Sequence, residues 1–556
     1  MENTIKPQSS SNSSAAQMEI VPGYGQDIRR TFKLFWPIFL GQIATTAMSV
    51  ADTVMSGIAG SVQLAGVAIG TSFYLPAVLF IVGMSLAIQP TVAQLRGSGH
   101  TELIARKMHL ATVIILVTSV IIGIMVSLMP LIYRFMPDVD QEMVRVGQGY
   151  LIAVALGMPG FAMFNILRGY WEGLGNTLPS SVFGILALVL NVPLNYIFIF
   201  GKFGAPELGG IGCGVATTVA IYISVIFMLI YIKTSKFYAR YRIYEHMFKI
   251  TAKEVKEFLH FGFPLALSTT IEVTCFSLVA VLLSPFGPVV VASHTVAMNV
   301  SAIIFMIPMA IASATTIRVG EAMGAGHWLR AQRTAIGAII MGLFFYVLCF
   351  IIVIAFHDPI IDMYTDDPEV FVLGSTLLLY CAAFLLPDSL QVIGIGILRG
   401  FKDSRTIFII TIVAYWIVGM PVGYTLGYGL TGEPMAAQGF WIGFICALTV
   451  ACLLYLARTF YLFRTRKLPK TFVLSSSDVM DEVRDEVMKS NEQAERDFLA
   501  QSGHQASADA NMIASSQYAT GSASSAAATA AQAADNGSQS YQAADNGSQS
   551  YEQSGR

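Results

Sequence analysis

The stretch PIFLGQIATTAMSVADTVMSGIAG, residues 37–60, contains a single charged side chain, that of Asp52. A helix needs about 20 mostly apolar residues to cross the hydrocarbon core of a bilayer. The stretch therefore predicts a transmembrane helix. Its carboxylate would lie in a medium where a charge is costly unless it is paired, hydrated or protonated.

Similar apolar runs recur along the chain. Hydrophobic residues make up 54% of the sequence and charged residues 12%, whereas charged residues make up roughly a quarter of a soluble domain. This composition excludes an ordinary soluble protein and predicts an all-α integral membrane protein with twelve transmembrane helices. The predicted spans are 34–58, 65–90, 109–133, 146–167, 178–200, 209–232, 258–284, 288–314, 335–357, 370–397, 407–430 and 437–461.

The basic residues predict the orientation of these spans. With the N-terminus placed inside the cell, all but three of the 33 Lys and Arg residues fall on the cytoplasmic side, the exceptions being Arg134, Arg145 and Lys202. Loops rich in Lys and Arg tend to stay in the cytoplasm during insertion. Both termini are therefore predicted to be cytoplasmic.

Other chemistries receive little support. The net charge of −2 gives no general attraction for nucleic acid. The six cysteines lie in apolar runs without CxxC spacing, which favours core thiols over metal ligands. No cofactor is predicted.

The two halves of the chain resemble each other. GSGH at 97–100 matches GAGH at 324–327, ILRG at 166–169 matches ILRG at 397–400, and Pro193 corresponds to Pro421. These matches in order predict a duplication of six helices that enter the membrane in the same sense, a parallel repeat. The predicted divisions are an N-terminal segment (1–30), an N-terminal lobe (31–233), a linker (234–257), a C-terminal lobe (258–470) and a disordered, low-complexity tail (471–556).

Three acids lie within the predicted spans, Asp52, Glu272 and Asp388, and the apolar interior of the spans contains no Lys or Arg to neutralise them. A cation from solution, either a proton or Na⁺, is then the expected partner. A protonated acid that only bonds within the bundle is the alternative for any one of them. Three such acids in both halves favour ion binding.

Polar residues accompany these acids. Asn191 and Asn195 are four residues apart and share one helix face, and Thr217 and Thr218 follow in the next helix. Taken singly, each is more often an interhelical hydrogen-bonding residue than a ligand.

Four segments resemble the NorM-type branch of the multidrug and toxic compound extrusion (MATE) family. They are residues 37–60, quoted above, LNVPLNYIFIFGKFGAPELGGIGCGVATTVA (190–220), FMIPMAIASATTIRVGEAMGAGH (305–327) and PDSLQVIGIGILRGFKDS (387–404). The similarity extends from about Phe35 to about Phe463. The long tail departs from the family pattern.

The resemblance implies a monomeric transporter of two six-helix lobes in the bacterial inner membrane. It would export small organic cations in exchange for inward Na⁺ or H⁺. The implied ion and substrate site consists of Asp52, Glu272, Asp388, Asn191, Asn195 and, more loosely, Thr218, with Glu272 and Asp388 as the expected Na⁺ ligands.

Three other functions would each need a feature that can be stated from the sequence. A lipid-linked oligosaccharide flippase would need Lys or Arg in its cavity to bind pyrophosphate. An intramembrane aspartyl protease would need Asp52 and Asp388 within hydrogen-bond reach, sharing a proton. A membrane scaffold that signals through its tail would depend on the residues after 474.

Overall fold

The computed structural model describes residues 23–129, 141–239, 241, 243–244, 249–365, 367–430 and 432–467. Twelve of the described helices are long and apolar enough to cross a membrane, which confirms the predicted all-α fold. We label them α1 to α12: Tyr24–Ala59, Ser61–Gly97, Leu103–Leu128, Gln141–Gly173, Leu178–Phe200, Gly210–Thr234, Ala252–Phe286, Pro288–Gly324, Trp328–Asp362, Pro368–Gly400, Ser404–Gly427 and Ala436–Thr465. The predicted tail and the end of the third predicted span lie outside the described residues.

Several helices extend beyond the predicted spans, because hydropathy detects the apolar core and not the polar turns that continue it. Helix α8 runs to Gly324 instead of residue 314, and α10 runs to Gly400 instead of 397. The added turns bring Arg318 and Arg399 into the helices, where both are at least 90% buried. The prediction that no Lys or Arg lies in the apolar interior of the spans does not extend to these added turns, which contain buried arginines.

The helices form two six-helix lobes, the N-lobe (α1–α6) and the C-lobe (α7–α12), each with its own core. Trp171 and Tyr170 are fully buried in the N-lobe core, and Trp441 and Tyr415 in the C-lobe core. The cores exchange a few residues where the lobes meet. Phe35 of α1, for example, packs in the C-lobe core.

The duplicated GSGH and GAGH motifs meet at the contact between the lobes. A Cβ atom on Gly97 would collide with the carbonyl of Glu321, and one on Gly324 would collide with the carbonyl of Gln94. Gln94 and Glu321 each lie three residues before the glycine of their own copy. The two copies thus pack against each other in equivalent fashion, as a parallel repeat requires.

Ion pairs join the lobes at the terminal face, which we define as the end of the bundle where α1 begins and α12 ends. Arg318 of α8 forms a buried ion pair with Asp27 of α1, and its guanidinium donates to Thr31 Oγ1 at 2.8 Å. Arg96 of α2 pairs with Glu321. Arg106 of α3 pairs at 2.9 Å with Glu254, which lies in the first turn of α7. Polar contacts therefore hold the lobes together at this face.

The Asp27–Arg318 pair provides a test of this contact. Removing one member of a buried ion pair leaves the other charge uncompensated, which costs about 3–5 kcal/mol. We expect Asp27→Ala to lower the melting temperature of the purified full chain in detergent. The melting temperature of the double variant Asp27→Ala/Arg318→Met should fall by much less than the summed decreases of Asp27→Ala and Arg318→Met, because no buried charge is left alone. Additive losses would contradict a direct pairing.

Candidate functional site

Asp52 lies seven residues before the end of α1 and is bound by uncharged donors from two other helices of the N-lobe. Asn195 of α5 donates from Nδ2 to Asp52 Oδ1 at 2.6 Å. Thr217 of α6 donates from Oγ1 to Asp52 Oδ2 at 2.9 Å. Asn191 holds both donors in place, since it donates to Thr217 Oγ1 at 3.1 Å and accepts from Asn195 Nδ2 at 3.0 Å. Three helices thus converge on one carboxylate.

This N-lobe site has more acceptors than donors. The side-chain oxygen of Asn195 is buried and has no hydrogen-bond partner in the described chain. Asp52 forms no ion pair with a Lys or Arg among the described residues. A carboxylate next to an unpartnered amide oxygen suits a bound proton or a small cation, whose preferred ligands are oxygens.

The C-lobe contains a second acidic site, built on three helices. Tyr415 of α11 donates to Glu272 Oε1 of α7 at 2.6 Å. Gln391 of α10 donates from Nε2 to Glu272 Oε1 at 3.3 Å and to Asp388 Oδ1 at 3.5 Å. The shared amide places the two carboxyl groups side by side. The side-chain oxygen of Gln391 is buried without a partner, so this site also has unused acceptors.

Local backbone geometry positions these groups. Asp388 and Gln391 are three residues apart on α10 and therefore face the same side. Tyr415 lies in a wider, π-type stretch of α11, Ile412–Gly419. Such stretches are rare and occur often at functional sites. Pro421, which follows this stretch, has no N–H to donate to the turn before it.

The two neighbouring threonines of α6 have different hydrogen-bond partners. Thr218 does not contact Asp52, since its hydroxyl donates to the carbonyl of Ala153 in α4 at 2.9 Å; the neighbouring Thr217 bonds the carboxylate instead. Sequence reasoning also missed Gln391 and Tyr415. The spacing from Asp388 could have indicated Gln391, but Tyr415 comes from a distant helix and has no local signal.

The predicted Na⁺ ligands Glu272 and Asp388 are brought together. Among the described residues there is no group of three or more His, Cys, Asp or Glu side chains that could hold a metal ion. Two carboxylates and an amide oxygen provide oxygen ligands for one monovalent cation, or sites for a proton. The Na⁺ assignment stays a prediction.

Asp52 and Asp388 belong to different sites. All hydrogen-bond partners of the Asp52 carboxylate lie on α5 and α6, and the partner of Asp388 is Gln391 on its own helix. The described chain offers no residue that bonds to both aspartates. The arrangement therefore lacks the shared proton that an aspartyl protease needs.

Solved structures with the same fold are membrane transporters. The eukaryotic MATE transporter AtDTX14 matches with a TM-score of 0.73 and 18% identity, covering 85% of this chain and 100% of that one. A multidrug resistance MATE family transporter in an outward-facing conformation matches with a TM-score of 0.70 and 18% identity, covering 80% of this chain and 97% of that one. A transporter from Pyrococcus furiosus, described as having a binding pocket of reverse polarity, matches with a TM-score of 0.67 and 18% identity. The match covers 82% of this chain and 98% of that one.

The MatE family model matches residues 37–197 and 264–425, one segment in each lobe. The two segments together cover more than half of the chain, and they include all three membrane-embedded acids. The chain belongs to the MATE family and is a membrane transporter rather than an enzyme.

Proposed function

We propose that this transporter is a NorM-type antiporter that exports small organic cations in exchange for inward Na⁺ or H⁺. The observation that carries the proposal is the pairing of every membrane-embedded acid with uncharged donors. Asp52 is bound by an amide and a hydroxyl, and Glu272 by a phenol and an amide. None of the three acids forms an ion pair within the described chain, so a mobile cation is the natural counter-charge.

Coupling follows from competition for these carboxylates. An ionised carboxylate in the middle of a membrane costs at least about 2.5 kcal/mol if nothing neutralises it. A proton, a Na⁺ ion or an organic cation can each neutralise it, but one carboxylate is fully neutralised by only one of them. The inward ion therefore displaces the substrate, and its release inside frees the site again. An ion that bound both conformations equally could drive nothing.

Aromatic side chains next to the C-lobe acids suit flat organic cations. Phe276 lies one turn after Glu272 on α7, and its ring meets that of Tyr415 edge to face with the centroids 5.8 Å apart. Aromatic rings bind cations through their negative faces. The similar Pyrococcus furiosus protein is described as having a pocket of reverse polarity and a suggested different function, whereas three acids give the sites of this chain a negative polarity.

The direction of transport follows from the Lys and Arg distribution, which favours a cytoplasmic terminal face in a bacterial inner membrane. The ion pairs between the lobes, Asp27–Arg318 and Arg96–Glu321, would then close the cytoplasmic side. In this conformation the acids would exchange with the outside. Opening to the cytoplasm requires those pairs to separate.

The proposal is tested with the full chain in lipid vesicles. We expect a fluorescent cation such as ethidium to be transported against its own gradient when either an inward Na⁺ gradient or an inward proton gradient is imposed with the other collapsed. An ionophore that dissipates the active gradient should stop this transport. Transport that ignores both gradients would refute antiport.

Neutralising the acids tests their role in coupling. We expect Asp52→Asn, Glu272→Gln and Asp388→Asn each to lower ion-driven transport at least about tenfold, since every 1.4 kcal/mol of lost binding energy is a factor of about ten. Glu433→Gln serves as a control because Glu433 is exposed, and it should behave as the native chain. Full coupled transport by all three acid variants, at normal expression, would exclude these residues as the coupling site.

The neighbouring threonines of α6 provide a matched pair of variants. Thr217→Val removes a hydroxyl that donates to Asp52, and a hydrogen bond to a charged group is worth about 1.5–3 kcal/mol. Thr218→Val removes only a bond to a backbone carbonyl. We expect the first variant to tighten the apparent affinity for the coupling ion about tenfold, because the ion-free carboxylate loses a donor that stabilises it, and the second to leave the affinity nearly unchanged. The reverse order would restore Thr218 as the site residue.

A further inference from the structure

The duplication places an arginine and, four residues later, an acidic residue in both lobes, but the pairing of these charges differs. An offset of 231 residues relates Arg168 to Arg399 and Glu172 to Asp403. In the N-lobe, Arg168 donates from Nε to Glu172 Oε1 at 2.8 Å. Glu172 also accepts from Gln89 at 2.8 Å. The arginine of the first copy is thus neutralised by a carboxylate one turn away.

In the C-lobe this pairing is broken. Asp403 accepts from Arg458 of α12 at 2.7 Å and from Thr406 at 2.8 Å, and it forms no hydrogen bond with Arg399. The Arg399 side chain makes no hydrogen bond to any described residue, and its Nε atom is buried without a partner. Only 8% of the residue is exposed. A buried guanidinium without a partner is costly, and its position calls for a physical reason.

Arg399 lies beneath the acidic site of the C-lobe. Asp388, Gln391 and Arg399 follow one another at intervals that keep them on one face of α10. Helical side chains lean toward the N-terminus of their helix, which for Arg399 is the direction of the two acids.

A layer of hydroxyl groups occupies the helical turn below Glu272. Ser268 precedes Glu272 by one turn on α7, and Thr411 precedes Tyr415 by one turn on α11. The hydroxyls of Ser268 and Thr411 are 2.7 Å apart, and those of Thr411 and Tyr455 are 3.1 Å apart. The space between the acids and Arg399 is therefore lined with polar groups.

The other helices that pack against this part of α10 contribute no charge there. Helix α8 presents Thr316, which donates to the carbonyl of Gly396 at 2.8 Å, and helix α9 presents Gly342 against Ile393. The charged residues nearest to Arg399 in the chain are Lys402 and Asp403, and Arg458 of α12 is bonded to Asp403.

We propose that Arg399 is an internal counter-charge for the Glu272 and Asp388 site, which weakens the binding of the coupling cation there and promotes its release toward the terminal face. The inference rests on the proposed antiport. Arg399 is a positioning residue in this scheme, because it acts through the two acids and does not bind substrate. Asp52 has no such competitor, since Arg168 is committed to Glu172.

The two lobes would therefore differ in their cation affinity although their scaffolds are duplicated. A guanidinium on the acids' side of α10 opposes a second positive charge at their site, so removing it should make cation binding to the C-lobe acids about tenfold tighter. A slower release of the ion should then lower the maximal rate of transport while its half-saturating ion concentration also falls.

The test uses the purified full chain in detergent and its melting temperature as the measure of cation binding, since a ligand that binds the folded state stabilises it. One titration varies NaCl at fixed pH and ionic strength, with choline chloride as the balance, and a second varies pH without Na⁺. The double variant Glu272→Gln/Asp388→Asn identifies the midpoint that belongs to the C-lobe site. The cation concentration at that midpoint should be about tenfold lower in Arg399→Met and in Arg399→Gln than in the native chain. It should be unchanged in Arg399→Lys, which keeps the charge.

The control removes the corresponding arginine of the N-lobe together with its partner, Arg168→Met/Glu172→Gln, so that no buried charge is left alone. Its C-lobe midpoint should equal that of the native chain. An unchanged midpoint in both neutral variants of Arg399 would overturn the counter-charge role and leave the antiport proposal standing. A native chain whose stability shows no midpoint that depends on Glu272 and Asp388 would overturn both. A midpoint that disappears when gluconate replaces chloride would instead make Arg399 an anion site and refute the proposal.

Discussion

The structure depends on one electrostatic constraint, the placement of carboxylates in an apolar bundle without a bonded cation. Asp52 is held at 2.6 Å by Asn195 and Glu272 at 2.6 Å by Tyr415, and these donors stabilise a carboxylate without cancelling its charge. Each site keeps an unpartnered amide oxygen, on Asn195 and on Gln391. Each lobe thus holds carboxylate and unpartnered amide oxygens inside an apolar bundle, and the proposed cation binding rests on this arrangement.

Much of this arrangement could be predicted from the sequence, because hydropathy and charge are local properties. The twelve helices, the three acids and the Asn191–Asn195 face all follow from patterns within one helix. What the sequence could not indicate depends on contacts between helices. Which of two adjacent threonines faces Asp52 is set by the rotation of α6, and the role of Tyr415 is set by the wide turn of α11.

Helix ends were the other source of error, and here the error mattered chemically. The predicted spans stopped short of Arg318 and Arg399, because charged residues lower hydropathy even when the helix continues. Arg318 is bonded to Asp27 and serves the contact between the lobes. Arg399 differs, since the acid that the repeat supplies to it, Asp403, is bonded to Arg458. A sequence comparison of the two halves shows both arginines but not this exchange of partners.

The duplicated scaffold and the unequal charges serve different purposes. Equivalent packing at Gly97 and Gly324 lets the two lobes meet closely at the terminal face, and the ion pairs there give that contact a defined strength. Shifting a two-state equilibrium from 1:99 to 99:1 takes about 5.5 kcal/mol. Removing one member of a buried ion pair costs about 3–5 kcal/mol, and separating an intact pair costs less, because both charges regain hydration. The terminal-face contacts therefore lie on the same energy scale as the neutralisation of one or two buried carboxylates. In the proposed antiport cycle, this match would let a single bound cation decide which side of the transporter is closed.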